Sequence, residues 1–231
     1  KLETVYDEIK NNGGPEPAIY PMNLEGASAD DYDELNTNID REFGRLDGLF
    51  NNAAYGQPGA VEDLTWPVLE AQLRTNVLGW HELTRRLIPA MRRHGAGRII
   101  QNSSVLGLVV MPYRGAYNCS KFALEGLSDT LRLELHGSGV WVSLIEPGPI
   151  VSKIRENALA ALQKYIDIEH SVHRQAYQQV LDRATLLDVA VHPDYRGTGR
   201  GDTLLDRLES EARADGIGSL FVLSTRTSHW F

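Results

Sequence analysis

Gly97-Arg98-Ile99-Ile100-Gln101-Asn102-Ser103-Ser104 decides the fold. Ile99 and Ile100 favour a strand, and the segment ends on polar residues instead of running into another apolar stretch. A helical pattern lies on either side. Upstream, Leu64, Val68, Leu69, Leu73, Val77, Leu83, Leu87 and Met91 recur at helical spacing until Gly95-Ala96-Gly97. Downstream, the spacing of Leu124, Leu127, Leu131 and Leu135 predicts a helix from Tyr117 to Leu135.

The alternation continues outward. Strands are expected at Ala18–Met22, Leu46–Phe50, Val140–Ile145, Ala184–Val191 and Ser219–Ser224. Helices are expected near Leu2–Ile9, after an N-cap at Ser28, over about 151–183 and after Gly201. Strands joined by helical crossovers make a parallel sheet covered on both faces. The fold class is therefore α/β, a single doubly wound, mostly parallel sheet, and ligands are expected at the carboxyl ends of its strands.

Composition narrows the function classes. The chain has 231 residues, with 42% hydrophobic and 23% charged residues, four Trp, nine Tyr and five Phe. This is a globular composition, not a disordered one. A net charge of −8 disfavours nucleic acid and anionic membrane as partners. The single cysteine, Cys119, excludes a disulfide framework and a cysteine-rich zinc site. His170 and His173 have no accompanying ligand cluster, so no metal is expected. With neither a targeting signal nor a run of 18 apolar residues, the expected location is the cytoplasm.

The chemistry gathers in the middle of the chain. Tyr117 and Lys121 are four residues apart at a helix start, on one face. A cation beside a phenol favours the phenolate, and such a tyrosine can exchange a proton with an alcohol or carbonyl oxygen. The same spacing also occurs in ordinary surface pairs. Ser104 adds a hydroxyl, Asn76 places an amide in an apolar helix, and Asn51-Asn52-Ala53-Ala54 and Pro147-Gly148-Pro149-Ile150 end two further strands.

In this order the residues resemble the short-chain dehydrogenase/reductase family, over residues 1 to about 183. Asn51 to Ala54 is similar to its Asn-Asn-Ala-Gly motif, with Ala54 in place of the glycine. The resemblance implies a Rossmann-like fold and NAD or NADP as cofactor. It implies a catalytic set of Asn76, Ser104, Tyr117 and Lys121. Tyr117 would be the acid/base, Lys121 would lower its pKa and bind the nicotinamide ribose, Ser104 would hold the substrate oxygen, and Asn76 would anchor a relay water. Asn23 and Leu24 would lie near the adenine. Asn51, Ala53, Pro147, Gly148 and Ile150 would line the coenzyme site. Phe122-Ala123-Leu124-Glu125-Gly126 resembles the branch acting on hydroxysteroids and retinol, so the expected substrate is an apolar alcohol or ketone.

Residues 184–231 resemble the N-acetyltransferases instead, chiefly in Val189 to Gly201. There Arg196, Gly197, Gly199 and Gly201 form a turn at a helix start, where free N–H groups attract phosphate. Acetyl-CoA is the coenzyme this part implies. The dehydrogenase family opens with a βαβ unit that residues 1 onward do not show, and 184–231 supply such a unit. The expected organisation is one Rossmann-like domain over 1–231, circularly permuted: 1–183 dehydrogenase-like, 184–231 completing the sheet. In that arrangement Ala184–Val191 lies beside Leu46–Phe50, Ser219–Ser224 comes next, and Ala18–Met22 is outermost. An engineered chimera without turnover that binds a phosphate-containing coenzyme is the alternative, and an acetyltransferase is the third reading. Homo-oligomer formation stays open.

Overall fold

The computed structural model describes residues 2–148, 154–187 and 220–223, with the side chains of 182–187 and 220–223 not described. In chain order come α1 (Leu2–Asn11), α2 (Ala29–Phe43), β1 (Gly48–Asn51), α3 (Trp66–Leu73) and α4 (Gly79–His94). They are followed by β2 (Gly97–Asn102), α5 (Gly115–Glu134), β3 (Val140–Ile145), α6 (Ile154–Tyr165), α7 (Arg174–Leu187) and β4 (Leu220–Leu223).

Local chemistry explains the boundaries. Ser28 caps α2 through a capping box: its Oγ accepts from the Asp31 N–H, while the Asp31 carboxylate accepts from the Ser28 N–H. Gly44 closes the helix in the left-handed region at φ 64°. Tyr32, Leu35 and Ile39, on one face of α2, are buried as the spacing predicts. Gly139, at φ 78°, lets the chain enter β3, because a Cβ there would stand 2.0 Å from the Gly95 carbonyl oxygen.

The described strands form one parallel sheet in the order β3-β2-β1-β4. β1 is buried along its whole length, as a central parallel strand must be when helices cover both faces. The main core joins Leu49 of β1 and Ile99 of β2 to Leu83, Leu87 and Met91 of α4, Leu35 and Ile39 of α2, and Leu124 of α5. A smaller cluster of Ala60, Leu162, Ile166 and Tyr177 ties α6 and α7 to the loop after β1. Its anchor is the Tyr177 hydroxyl, which accepts from the Ala60 N–H at 2.7 Å and donates to Asp63.

Four expectations are corrected. Ala18–Met22 is not a strand but irregular chain. Pro15, Pro17 and Pro21 remove backbone donors there, which suits a loop better than a ladder. Ala184–Leu187 is not a strand either, since α7 continues to Leu187, and 188–191 lie outside the described residues. The region expected to be helical over about 151–183 is helical from Ile154 but is interrupted over 166–173, with 151–153 outside the described residues. Finally, the strand beside β1 is β4, in register from Gly48 with Leu220 to Asn51 with Leu223. A strand has two edges, and β2 holds the other one, so the place expected for Ala184–Val191 is taken. The C-terminal segment thus enters the sheet through Leu220–Leu223.

Between α3 and α4 the sequence pattern hides a discontinuity. Arg74–Leu78 forms a π-helical turn within an otherwise continuous helical stretch. Such turns re-aim side chains and concentrate at functional sites.

Candidate active site

The carboxyl ends of β1 and β2, the start of α5 and the π-helical turn meet in one place. Ser104 follows β2, where it caps a short 3-10 turn at Val105–Gly107 and accepts from the Leu106 N–H at 3.1 Å. Its hydroxyl stands near enough to the Tyr117 phenol to favour the phenolate. Lys121, one turn along α5, places its Nζ 5.6 Å from the centre of the Tyr117 ring. Ser104, Tyr117 and Lys121 are thus brought together, and all three are buried.

Burial sets the electrostatics of the pair. It pushes the Tyr117 phenol above its ordinary value, with the Ser104 hydroxyl acting in the opposite direction. The lowering expected from the lysine is therefore not what is found. The ammonium carries the larger perturbation: burial pulls Lys121 down to about 7, against a weaker upward pull from Glu125. Its Nζ donates to the Asn102 carbonyl at 2.6 Å. Ser103 donates to the Glu125 carboxylate, which holds that side chain one turn beyond the lysine.

Asn76 sits in the π-helical turn with no exposed surface. Its Oδ1 accepts from the Tyr55 N–H at 3.2 Å, and its Nδ2 donates to the Tyr55 carbonyl at 2.9 Å and to the Ser120 Oγ at 3.2 Å. Both amide protons are spent inside the protein, leaving one Oδ1 lone pair for anything further. The Ser120 Oγ in turn donates to the Tyr117 carbonyl at 2.8 Å, so Asn76 is coupled to α5 at the turn that carries Tyr117.

The expected coenzyme residues divide. The Asn51 Nδ2 donates to Thr84 and to Gln101, each at 2.9 Å, and so ties β1 to α4 and β2. Its Oδ1 is buried with no hydrogen-bond partner among the described residues. The Ala53 carbonyl accepts from the Trp80 Nε1 at 2.7 Å. The Pro147 carbonyl accepts from the Val105 N–H at 3.2 Å, which draws the end of β3 to the Ser104 loop. Gly148 is exposed, with open space around it. Asn23 lines a cavity of about 200 Å³ with Tyr20, Pro21, Met22, Gly26, Ala27 and Asp31. Leu24 instead belongs to the core at 3% exposure, so its side chain is not free for a ligand. Ile150, Arg196, Gly197, Gly199 and Gly201 lie outside the described residues. His170 and His173 face different carboxylates, Asp167 and Glu62.

Next to Ser104 the surface turns apolar. Leu108, Val109, Val110 and Met111 are each more than half exposed. They do not dangle: Asn118 donates to the carbonyls of Leu106 and Val109 at 2.9 and 2.8 Å, pinning this flap to α5.

Sequence reasoning missed several of these residues. Trp80 and Thr84 follow Asn76 at steps of four, the spacing of a single helix face, and that signal could have found them. The flap is legible only as the apolar run Leu108-Val109-Val110-Met111, a signal that by itself assigns no role.

The family model for short chain dehydrogenase matches residues 1–163, and the chain belongs to that family. The model of the acetyltransferase (GNAT) family matches residues 159–229, a stretch that begins ahead of residue 184. Over 112 residues the chain is 52% identical to the uncharacterized oxidoreductase YbbO of Escherichia coli K12, covering 48% of this chain and 42% of that protein. Over 182 residues it is 33% identical to human 17-beta-hydroxysteroid dehydrogenase type 1, covering 77% of this chain and 56% of that one. Among solved structures, a short chain dehydrogenase from Shigella flexneri complexed with NADP superposes with a TM-score of 0.63 at 26% identity. That match covers 71% of this chain and 67% of the other. The chain spans about half the length of the curated relatives it matches.

Proposed function

We propose that the protein is an NAD(P)-dependent oxidoreductase that interconverts an apolar alcohol and its ketone. The observation that carries this reading is the convergence of Ser104, Tyr117 and Lys121 at the end of β2. Tyr117 holds the proton that moves to or from the substrate oxygen, and Ser104 orients that oxygen against the phenol. Lys121, as a cation beside the ring, offsets negative charge on the phenolate. Asn76 holds Ser120 and Tyr55, and through them the start of α5, in register.

A nicotinamide coenzyme, when bound, supplies or accepts the hydride. The unpartnered Asn51 Oδ1 at the end of β1 and the cavity beside Asn23 are compatible with such a group. Asn23, Asn51, Ala53, Lys121, Pro147 and Gly148 are the described residues that would hold it. The NADP-bound Shigella relative supports the coenzyme class. The exposed apolar flap and the hydroxysteroid dehydrogenase relative support the substrate class.

The second reading, a scaffold that binds a phosphate-containing coenzyme without turnover, has a specific observation behind it. The acetyltransferase match covers the glycine turn, and β4, within that match, pairs with β1. This pairing also supports one Rossmann-like domain over 1–231. Thermal-shift titrations with NAD, NADP and acetyl-CoA separate the readings. The dehydrogenase reading expects stabilisation by NAD or NADP that rises with ligand concentration. Stabilisation by acetyl-CoA alone would replace it with the second.

A further inference from the structure

Lys121 is a buried ammonium without an ion-pair partner among the described residues. It is 1% exposed, and no carboxylate lies within salt-bridge distance of its Nζ among the described residues. One hydrogen bond, to the Asn102 carbonyl, is formed at 2.6 Å. A buried cation with so little compensation discharges unless something else favours the charged form. Glu125 on α5 is the charged group that acts on it, from a longer range. Two rings also stand beside it. Tyr117 presents its ring at 5.6 Å and Trp80 at 4.7 Å, the latter well inside the range of a cation–π contact.

Trp80 is held rigidly for this task. It has no exposed surface, and its Nε1 donates to the Ala53 carbonyl at 2.7 Å, fixing the ring plane from the end of β1. Indole is the strongest of the neutral aromatic faces for a cation, and the effect grows when both partners are dry. Trp80 also follows Asn76 by four residues, just beyond the π-helical turn, so one helix face delivers both side chains to α5.

We propose that Trp80 is a positioning residue whose indole face keeps the Lys121 ammonium charged and seated beside the Tyr117 ring. The proposal deepens the assignment of Tyr117 and Lys121 as the proton-handling pair and rests on that assignment for its functional meaning. Leucine at position 80 would leave the ammonium facing hydrocarbon, and the charged form would give way at lower pH. Phenylalanine would keep a weaker aromatic face but lose the bond to Ala53.

The test reads the lysine directly and needs no turnover. The chain has five lysines, so a preparation labelled with ¹³C at the lysine ε-carbon gives a simple spectrum. The Lys121 signal is identified by its disappearance in Lys121→Arg. In Trp80→Leu the Lys121 titration midpoint should fall by about one pH unit, the size of a desolvated cation–π contact. In Trp80→Phe it should fall by less. Fluorinated tryptophans placed specifically at position 80 cover the case in which the leucine variant fails to fold. Each added fluorine weakens the ring face with little change of volume, so the midpoint should drop stepwise with fluorine count. A midpoint that stays constant across the fluorinated series overturns the proposal. A parent chain that transfers no hydride from NADH or NADPH to apolar ketones, with a midpoint that still tracks the ring, would instead overturn the oxidoreductase reading and leave the role of Trp80 toward Lys121 standing.

Discussion

The two sides of α5 invert the usual distribution of polarity. Behind α5 the interior holds Asn51, Asn76, Gln101, Ser120 and Lys121, all at 4% exposure or less. In front of it the flap from Leu108 to Met111 shows hydrocarbon to solvent. Buried polar groups carry a desolvation cost that hydrogen bonds must offset, and here they largely do, through Tyr55, Thr84 and the strand ends. An exposed apolar patch is unfavourable on its own and marks a surface made to contact something apolar. The comparison teaches a division of labour that fits the proposed function: a polar interior placed to handle a proton, and an apolar flap placed to meet an apolar substrate.

The comparison breaks first at Tyr117. Tyr117→Phe should lower hydride transfer by on the order of 10² to 10⁴, while coenzyme binding is retained. Equal turnover in the variant and the parent, measured with an apolar ketone and NADPH, would remove Tyr117 from the mechanism.

Lys121 gives the next largest effect, and its sign is unusual. Its folded value is about 7 against an ordinary 10.5, so the unfolded chain holds the proton more tightly between those values. Stability should therefore rise as pH climbs from about 7 towards 10.5, with the full cost of burial present below that window. Lys121→Met should then melt higher than the parent near pH 6, with the gain shrinking towards pH 10. Thermal unfolding across that range checks it, and a variant less stable than its parent at low pH contradicts it.

Asn76→Ala sharpens the interior side. It strands the Tyr55 N–H and carbonyl, and should cost on the order of 1–3 kcal/mol in urea unfolding. The smallest change belongs to the flap. Val110→Ser should leave stability within about 0.5 kcal/mol, because the side chain is 74% exposed. It should weaken use of apolar ketones by roughly tenfold while sparing small polar ones. Steady-state kinetics on both substrate types separates the two expectations.

Much of this was legible in the sequence for a physical reason. The strands from Gly48 to Asn51, Gly97 to Asn102 and Val140 to Ile145, and the helices over Ala29–Phe43 and Gly115–Glu134, have matching apolar periodicity and end signals. The grouping of Ser104, Tyr117 and Lys121 followed, because the end of a strand and the start of the next helix meet in a parallel sheet. The π-helical turn at Arg74–Leu78 was not legible, since a shift of hydrogen bonds by one residue leaves the apolar spacing almost unchanged. Ala184–Leu187 misled because a short apolar run suits a strand or a helix end equally well. The direction of the Tyr117 shift was also beyond reach: spacing places a cation near the ring, but only packing tells how dry the ring is.

The most direct measurement follows a deuteride from 4-deuterated NADPH into an apolar ketone, using the parent chain and Tyr117→Phe side by side. The account predicts a labelled alcohol from the parent and little or none from the variant. An unlabelled ketone recovered intact from the parent, under conditions where NADPH binding is saturated, would contradict it.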